Sequence, residues 1–420
     1  LLELIPFSTA TYWLNFTAHM AASSGATMGD IERAIQPYLA HVEENRELFE
    51  RAKAEAPLRF DGKPATVPMR LAQAMFAATP IWCNGWIAEG ERLAGVAESF
   101  RAAGQAITAG EIFRRASVLI GFAEWSMLLS PEKRETFDRA RHLCLTAMEL
   151  LGEKYEPVRI PYAGQELEGM FWPAAGGGRR PTAICFNGLH SSMEWFWQVG
   201  LVRELNRRGI SVLVFDCPGS GTARFHKNLH IEPDTERYAR PALDYVLSRD
   251  DVDPDRIAAV GCSFGGYRTV RAAATDSRFR MCLAWGALYG LPAPQQPVQT
   301  KQGEDGEEGA PSGMSGLDPR TMLWFMGVSS AAEWEAKRPQ FTLQDVIGDL
   351  ECDLVVFHGG ADMQVPVMHA ERVVSEAVNA RSRELHIYTA AEGGEQHCHL
   401  DNLGTPLGHM TDRVAAILRA

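Results

Sequence analysis

Gly261-Cys262-Ser263-Phe264-Gly265 is the most informative stretch of this 420-residue chain. The stretch fits the pattern G-x-S-x-G. An apolar run, Arg256-Ile257-Ala258-Ala259-Val260, precedes it, and an alanine-rich, helix-prone run, Val270 to Thr275, follows. Strand, tight turn and helix in that order form the context in which the pattern means a nucleophile elbow. The two glycines suit a turn so sharp that a side chain at either place would clash, and the Ser263 hydroxyl is lifted clear of the sheet. A purely structural turn is the bland reading; the strand before and the helix after favour the catalytic one.

Outward from the elbow, β-rich and helical stretches alternate. Val158 to Tyr162 and Leu167 to Trp172 read as two strands joined at Ala163-Gly164. Ala183 to Phe186, Val212 to Phe215, Ile257 to Val260, Met281 to Trp285, Leu354 to Phe357 and Leu385 to Tyr388 are short β-rich runs. Most are near-continuously apolar, as strands buried on both faces are. The alternation predicts an α/β fold, a mostly parallel sheet with helices on both faces. Residues 1–153 read instead as an all-helical domain, and 154–420 as the catalytic one. In the first, Ile31 to Ala56 keeps apolar residues at helical spacing, and Thr108 with Glu111 predicts a capping box. Pro131 after Ser130 opens a further helix that Gly152 closes. Thr300 to Gly316, rich in Gly, Glu and Asp, reads as a mobile surface loop.

Net charge is −12, which disfavours nucleic-acid or anionic-membrane partners. No stretch has the roughly 18 uninterrupted apolar residues of a membrane span. Leu1 to Met20 carries no basic segment or small-residue cleavage site, so no signal peptide is expected and a cytoplasmic location is. The eight cysteines are scattered and form no C-x-x-C pair, which suits buried free thiols in a reducing compartment.

A serine hydroxyl needs a base to take its proton and an acid to orient that base. Behind an elbow of this kind the chain order is serine, acid, histidine. Asp362 follows the apolar run that ends at Phe357, past Gly359-Gly360, beyond the carboxyl end of a strand. His397 lies between the last strand-like run and a final helix, Met410 to Leu418, and His399 competes with it. The neighbouring His358 suits a strand-end hydrogen bond. The His-x-His pair has no further ligand cluster beside it, so neither metal nor cofactor is expected. Two donors are needed for a developing oxyanion: the backbone N–H of Phe264, and that of Leu189 in the turn Asn187-Gly188-Leu189-His190, with the His190 ring a weaker option. Asp216-Cys217-Pro218-Gly219-Ser220-Gly221 lacks the lysine of a phosphate loop and reads as a turn lining the site. Glu194, Trp195 and Trp197 are candidates for substrate contact, against core or solvated readings.

These residues together resemble the α/β-hydrolases that carry an N-terminal helical domain. That group includes the dihydroxypseudooxynicotine hydrolase of nicotine breakdown, the fungal polyketide-shortening pigment hydrolases and the fermentation-respiration-switch type esterases. The resemblance rests on Asn187-Gly188-Leu189 with Ser191-Ser192 and Glu194, then Asp216-x-Pro218-Gly219-x-Gly221. It continues through Gly261 to Tyr267 with Arg271-Ala272-Ala273-Ala274, then Ala284-Trp285-Gly286, the Asp362 loop, and Glu395-x-His397-Cys398 with Asp401-Asn402. It runs from about 155 to the end. It implies a Ser263–His397–Asp362 triad, a site between the helical and catalytic domains, and a homodimer. It also implies a small-molecule substrate, cut at an ester or at a carbon–carbon bond next to a carbonyl in an aromatic or polyketide-like skeleton. His190 and Met193 stand where the group often has Asp and Lys, so no member's substrate carries over. The alternative on this scaffold is an acyltransferase or lyase; a catalytically dead binding protein is disfavoured by the intact serine, acid and histidine.

Overall fold

The computed structural model describes residues 18–47, 69–291, 319–362 and 364–420. The segment expected as a mobile loop, 300–316, lies outside the described residues. The chain divides into two compact units, Leu1–Glu153 with Pro294–Thr321 and Lys154–Ala293 with Met322–Ala420. Among the described residues no helix is long and apolar enough to cross a membrane.

The first unit is helical: α1 (Met28–Glu44), α2 (Met69–Ala102), α3 (Ala106–Ser126) and α4 (Pro131–Leu150). Helix α1 starts at a capping box between Thr27 and Asp30 and buries Ile31, Ala34, Ile35 and Tyr38. It ends at Glu44; after a turn at Asn45 the backbone is helical again at Arg46 and Glu47, and the rest of the expected stretch, 48–56, lies outside the described residues. The box expected at Thr108 is absent. Helix α3 begins three residues earlier, after Gly104 at φ 75°, so Thr108 lies within its first turn and Glu111 pairs with Arg114. The 34-residue α2 is not evident from periodicity, because glycines interrupt its apolar pattern. Those glycines are where neighbours come close: a Cβ on Gly85 would lie 2.1 Å from the Ala34 carbonyl oxygen, and one on Gly90 2.5 Å from Ile120 Cγ1. Buried Asp30 accepts two hydrogen bonds from Arg115, at 2.8 and 2.6 Å, fastening α1 to α3. Burial opposes its charge, but the Arg115 guanidinium and Thr27 outweigh that and hold its pKa below the usual value.

The second unit holds an eight-stranded sheet. Its strands are β1 (Glu156–Tyr162), β2 (Gln165–Trp172), β3 (Arg180–Phe186), β4 (Ser211–Phe215), β5 (Val252–Cys262), β6 (Met281–Trp285), β7 (Asp353–Gly359) and β8 (Ser382–Tyr388). Their order is β1-β2-β4-β3-β5-β6-β7-β8. The β1–β2 and β2–β4 pairs are antiparallel and the rest parallel. The β1–β2 hairpin closes where Ala163 and Gly164 both take positive φ, as the tightest hairpin turns require. Strands β4, β6 and β7 are buried along their whole length, whereas β1 alternates and edge strand β8 is mostly half-exposed. The continuous apolar runs in the sequence thus mark the sheet centre.

Connecting helices flank the sheet. They are α5 (Met193–Gln198), α6 (Leu201–Arg207), α7 (Gly221–Phe225), α8 (Glu236–Leu247), α9 (Phe264–Thr275), α10 (Pro319–Met326), α11 (Ala331–Lys337), α12 (Met368–Glu376) and α13 (Gly404–Arg419). Helices α8 and α9 pack together on one face; α5, α6 and α13 cover the other. Helix α13 starts six residues before the expected Met410. Registers Phe186↔Phe215, Phe186↔Gly261 and Trp285↔Phe357 align the strand ends, so the loops after β3, β4, β5 and β7 share one edge. That carboxyl edge is where open α/β sheets hold ligands.

Candidate active site

Strand β5 runs straight into α9 through Ser263, whose backbone is held at φ 57°, ψ −124°. A non-glycine residue there is strained, and the contacts around it keep it so. Its N–H donates to the Trp285 carbonyl at 2.7 Å and its carbonyl accepts from Gly266 N–H at 2.8 Å. The flanking glycines are required by close approach. A Cβ on Gly261 would lie 2.2 Å from the Gly265 oxygen, and one on Gly265 2.0 Å from the Phe186 oxygen. Helix and strand therefore pass backbone against backbone.

The His397 ring bridges two side chains. Its Nε2 lies 2.9 Å from Ser263 Oγ and its Nδ1 2.6 Å from Asp362 Oδ2. The other Asp362 oxygen accepts the N–H groups of Gln364 and Val365, each at 2.8 Å. Burial works against the Asp362 charge, but the His397 and His358 imidazoles and the Val365 N–H prevail, and its pKa falls below the usual value. His358 Nε2 donates to the Val365 carbonyl at 2.8 Å, the strand-end bond expected of it, and burial lowers its pKa. His399 is turned away: its Nδ1 bonds the Gly394 carbonyl, and burial drives its pKa to about 4. Cys398 and His399 both adopt positive φ, at 53° and 58°, and this swings the two imidazoles to different partners.

Beside the serine runs the turn after β3. Gly188 is pressed against the elbow, since a Cβ there would lie 3.1 Å from the Cys262 oxygen and 3.4 Å from Ser263 Cβ. Its contribution is this proximity; the positive φ in the turn belongs to His190, at 56°. Leu189 follows, half-buried, and the Phe264 N–H opens α9 with the free amide direction of a first helical turn. The His190 ring lies 4.0 Å from that of Phe325.

Two buried groups hold this turn, and the sequence reading passed over one of them. Arg268, on the face of α9 that carries Phe264, is fully buried. It donates to the Asn187 carbonyl at 2.7 Å, to Ser220 Oγ at 3.2 Å and to the Pro218 carbonyl at 2.7 Å. Ser220 Oγ in turn donates to the Gly188 carbonyl at 3.2 Å. Its position four residues after Phe264, on a face otherwise apolar, was the available signal. The second is Asp216, which accepts from Asn187 Nδ2, Met193 N–H, Thr222 N–H and Thr222 Oγ1 at 2.7–3.1 Å. It ties the ends of β3 and β4 together, so the glycine-rich segment after β4 is a structural turn. Burial and the nearby Glu194 charge push its pKa well above the usual carboxylate range, against the pull of these donors.

Glu194 and Trp195 sit on α5, both buried. The Trp195 ring stacks on that of Trp285, 5.9 Å between centroids, and the Trp285 indole donates to the Cys398 carbonyl at 2.9 Å. Trp197 is buried as well. All eight cysteines are free and buried.

Residues 171–416 match the alpha/beta hydrolase family. Hydrolase acrC of Aspergillus aculeatus is 28% identical over 238 residues, 50% of this chain and 54% of its own. The 2,6-dihydropseudooxynicotine hydrolase of Paenarthrobacter nicotinovorans is 26% identical over 353 residues, 81% of this chain and 85% of its own. The chain spans about half the length of the first curated relatives it matches. The crystal structure of the 2,6-dihydroxy-pseudo-oxynicotine hydrolase superposes with a TM-score of 0.69 at 20% identity, covering 95% of each chain, a likeness of fold. The chain belongs to the alpha/beta hydrolase family.

Proposed function

We propose that this alpha/beta hydrolase works through a serine nucleophile and an acyl-enzyme. One observation carries the reading: a single imidazole within hydrogen-bonding distance of both the strained Ser263 hydroxyl and a carboxylate held ionised. Ser263 Oγ attacks an electrophilic carbonyl while His397 Nε2 takes its proton. Asp362 fixes the His397 tautomer and stabilises the imidazolium that forms. The N–H groups of Phe264 and Leu189 receive the developing oxyanion, each worth about 3 kcal/mol of the barrier. The tetrahedral adduct collapses, the bond to the leaving group breaks, and His397 returns the proton to that group. Water, deprotonated by His397, then releases the acid and restores Ser263.

The leaving atom is an ester oxygen, or a carbon whose electron pair is spread into an enolate or electron-rich ring. The second case uses the same steps, the proton going to carbon, and extends the reading to C–C bonds in aromatic or polyketide-like small molecules. The same proposal takes Glu194 and Trp195 as supports of the acyl pocket wall, the helical unit as the selector of substrate, and a cytoplasmic homodimer as the working form. Sedimentation tests the last.

Product analysis in 18O-labelled water, with a panel of aryl esters and β-diketones, tests the reaction. One labelled oxygen in the acid product, lost with Ser263→Ala, is expected. Product without label from an active protein would assign the chemistry to acyl transfer or lysis instead.

A further inference from the structure

Arg224 is a buried cation whose strongest hydrogen-bonding edge is unused. It lies on α7, 1% exposed, with its guanidinium 3.5 Å over the Trp324 ring. Nη1 donates to Asn228 Oδ1 at 3.0 Å. Nε and Nη2 have neither an acceptor nor accessible surface, and no carboxylate among the described residues pairs with the group. Buried polar groups are nearly always bonded, and a buried guanidinium leaves such donors idle at high cost. Arg268, the other fully buried arginine, also leaves its Nε without an acceptor, but both of its Nη atoms are bonded, to four oxygens, so the idle Nη2 is what sets Arg224 apart.

The two idle groups form one side of the guanidinium fork, whose parallel N–H bonds match the two oxygens of a carboxylate. The position suits a substrate. Helix α7 begins against the oxyanion turn, with Gly221 N–H donating to the Ser191 carbonyl at 3.1 Å and Ser220 Oγ to the Gly188 carbonyl at 3.2 Å. Arg224 is three residues past Gly221, a rise of about 4.5 Å. From the same turn, His190, Phe325, Trp324 and Arg224 form a run of ring contacts at 4.0, 5.0 and 3.5 Å. Leu189, His190 and Ser191 of that turn, with His230 and Trp324, are half-buried, so solvent reaches this side of the sheet edge although the Arg224 side chain itself is covered.

We propose that Arg224 binds a carboxylate on the acyl part of the substrate, so that the enzyme acts on acidic acyl compounds: half-esters of dicarboxylic acids, or keto acids bearing a remote acid group. This rests on the serine-hydrolase reading above. Burial lowers the Arg224 pKa to about 10, which leaves the cation charged at neutral pH.

The test compares mono-4-nitrophenyl glutarate and adipate with the neutral 4-nitrophenyl pentanoate and hexanoate, on wild type, Arg224→Met and Arg224→Lys. Wild type should favour an acid ester over its neutral partner at least about tenfold in kcat/KM. Arg224→Met should bring that ratio to about one through a rise in KM on the acid ester, with Arg224→Lys between them. A charge-assisted bidentate contact is worth roughly 10- to 150-fold. Without ligand, Arg224→Met should keep or raise the melting temperature, because an apolar side chain replaces an unpaired buried cation. No acid preference in wild type, or an unchanged ratio in Arg224→Met, would overturn the proposal. Neutral-ester turnover that disappears in Ser263→Ala checks the underlying reading separately. If no ester is cleaved, calorimetry of glutarate with wild type and Arg224→Met still decides the anion site.

Discussion

Gly265→Ala should damage catalysis through geometry alone, with no functional group removed. The added Cβ would lie 2.0 Å from the Phe186 carbonyl oxygen and 3.0 Å from the Asn187 carbonyl carbon and oxygen, where real contacts stop near 3.0 Å. Both neighbours are backbone, so α9 and the end of β3 must part by at least ~1 Å. Arg268 resists that movement, because it clamps the Asn187 carbonyl from the same helix at 2.7 Å. What separates is the Ser263–Phe264 elbow from the turn that carries Leu189. A displacement of about 1 Å in a reacting constellation costs on the order of 100-fold in rate. Overpacking costs about 1–3 kcal/mol, or roughly 2–12 °C in melting temperature for a unit of this size. The assay is kcat for 4-nitrophenyl butyrate beside a thermal melt. Gly188→Ala provides a graded comparison, its Cβ meeting the Cys262 oxygen at 3.1 Å, and should cost about tenfold or less. Gly348→Ala, with nothing within 4 Å, should change neither quantity. Wild-type kcat and melting temperature in Gly265→Ala would show that α9 and β3 take up a side chain there without parting.

Ser263→Gly should abolish turnover yet raise the melting temperature above that of Ser263→Ala, since φ 57°, ψ −124° costs a non-glycine residue about 1–3 kcal/mol; equal melting points would remove strain from the account. His397→Gln should lower kcat by on the order of 10⁴-fold or more, whereas His399→Gln, which loses a bond to the Gly394 carbonyl and a ring contact with Tyr388, should stay within about tenfold while melting lower. Two of the buried aspartates, Asp362 and Asp216, should give opposite pH dependences of stability. Asp362 has a depressed pKa, so its contribution is present above the unfolded value of about 3.9 and lost as pH falls through the folded one; Asp362→Asn should lose less stability than wild type on acidification below about pH 4. Asp216 has a raised pKa: between about pH 4 and its folded value the native state keeps a proton that the unfolded chain has shed. Stability therefore falls as pH rises there, and Asp216→Asn should flatten that slope in denaturant titrations.

The sheet-bearing half of the fold was legible because its signals are redundant. Strands β4, β6 and β7 are buried on both faces, so their sequences are unbroken apolar runs that periodicity alone identifies. The elbow was legible because a turn that tight admits glycine at two fixed places, and each glycine proves to be a backbone contact. Position along the chain then led to Asp362 and His397, which the fold brings to within 2.6 Å of one another. The choice between His397 and His399 was not legible from residue types, since it depends on the positive φ of Cys398 and of His399 itself. Helix α2 was hidden for a related reason: Gly85 and Gly90 weaken its pattern because close packing against Ala34 and Ile120 leaves no room for side chains there. The Thr108 capping box failed because the same four-residue pattern also occurs inside a first turn. Arg224 and Arg268 were passed over because arginine in a sequence reads as surface. Their burial follows from tertiary contacts with Trp324 and with the carbonyls of Asn187 and Pro218.

An activated nucleophile at Ser263 is open to chemical trapping. Mass spectrometry of the intact protein and its peptides after incubation with a fluorophosphonate tests it most directly, on wild type and Ser263→Ala, each paired with His397→Gln. One adduct is expected, on the peptide that carries Ser263, absent in Ser263→Ala and slowed at least about 100-fold by His397→Gln. A folded wild type that forms no adduct at Ser263, or one that labels equally fast without the His397 imidazole, would contradict it.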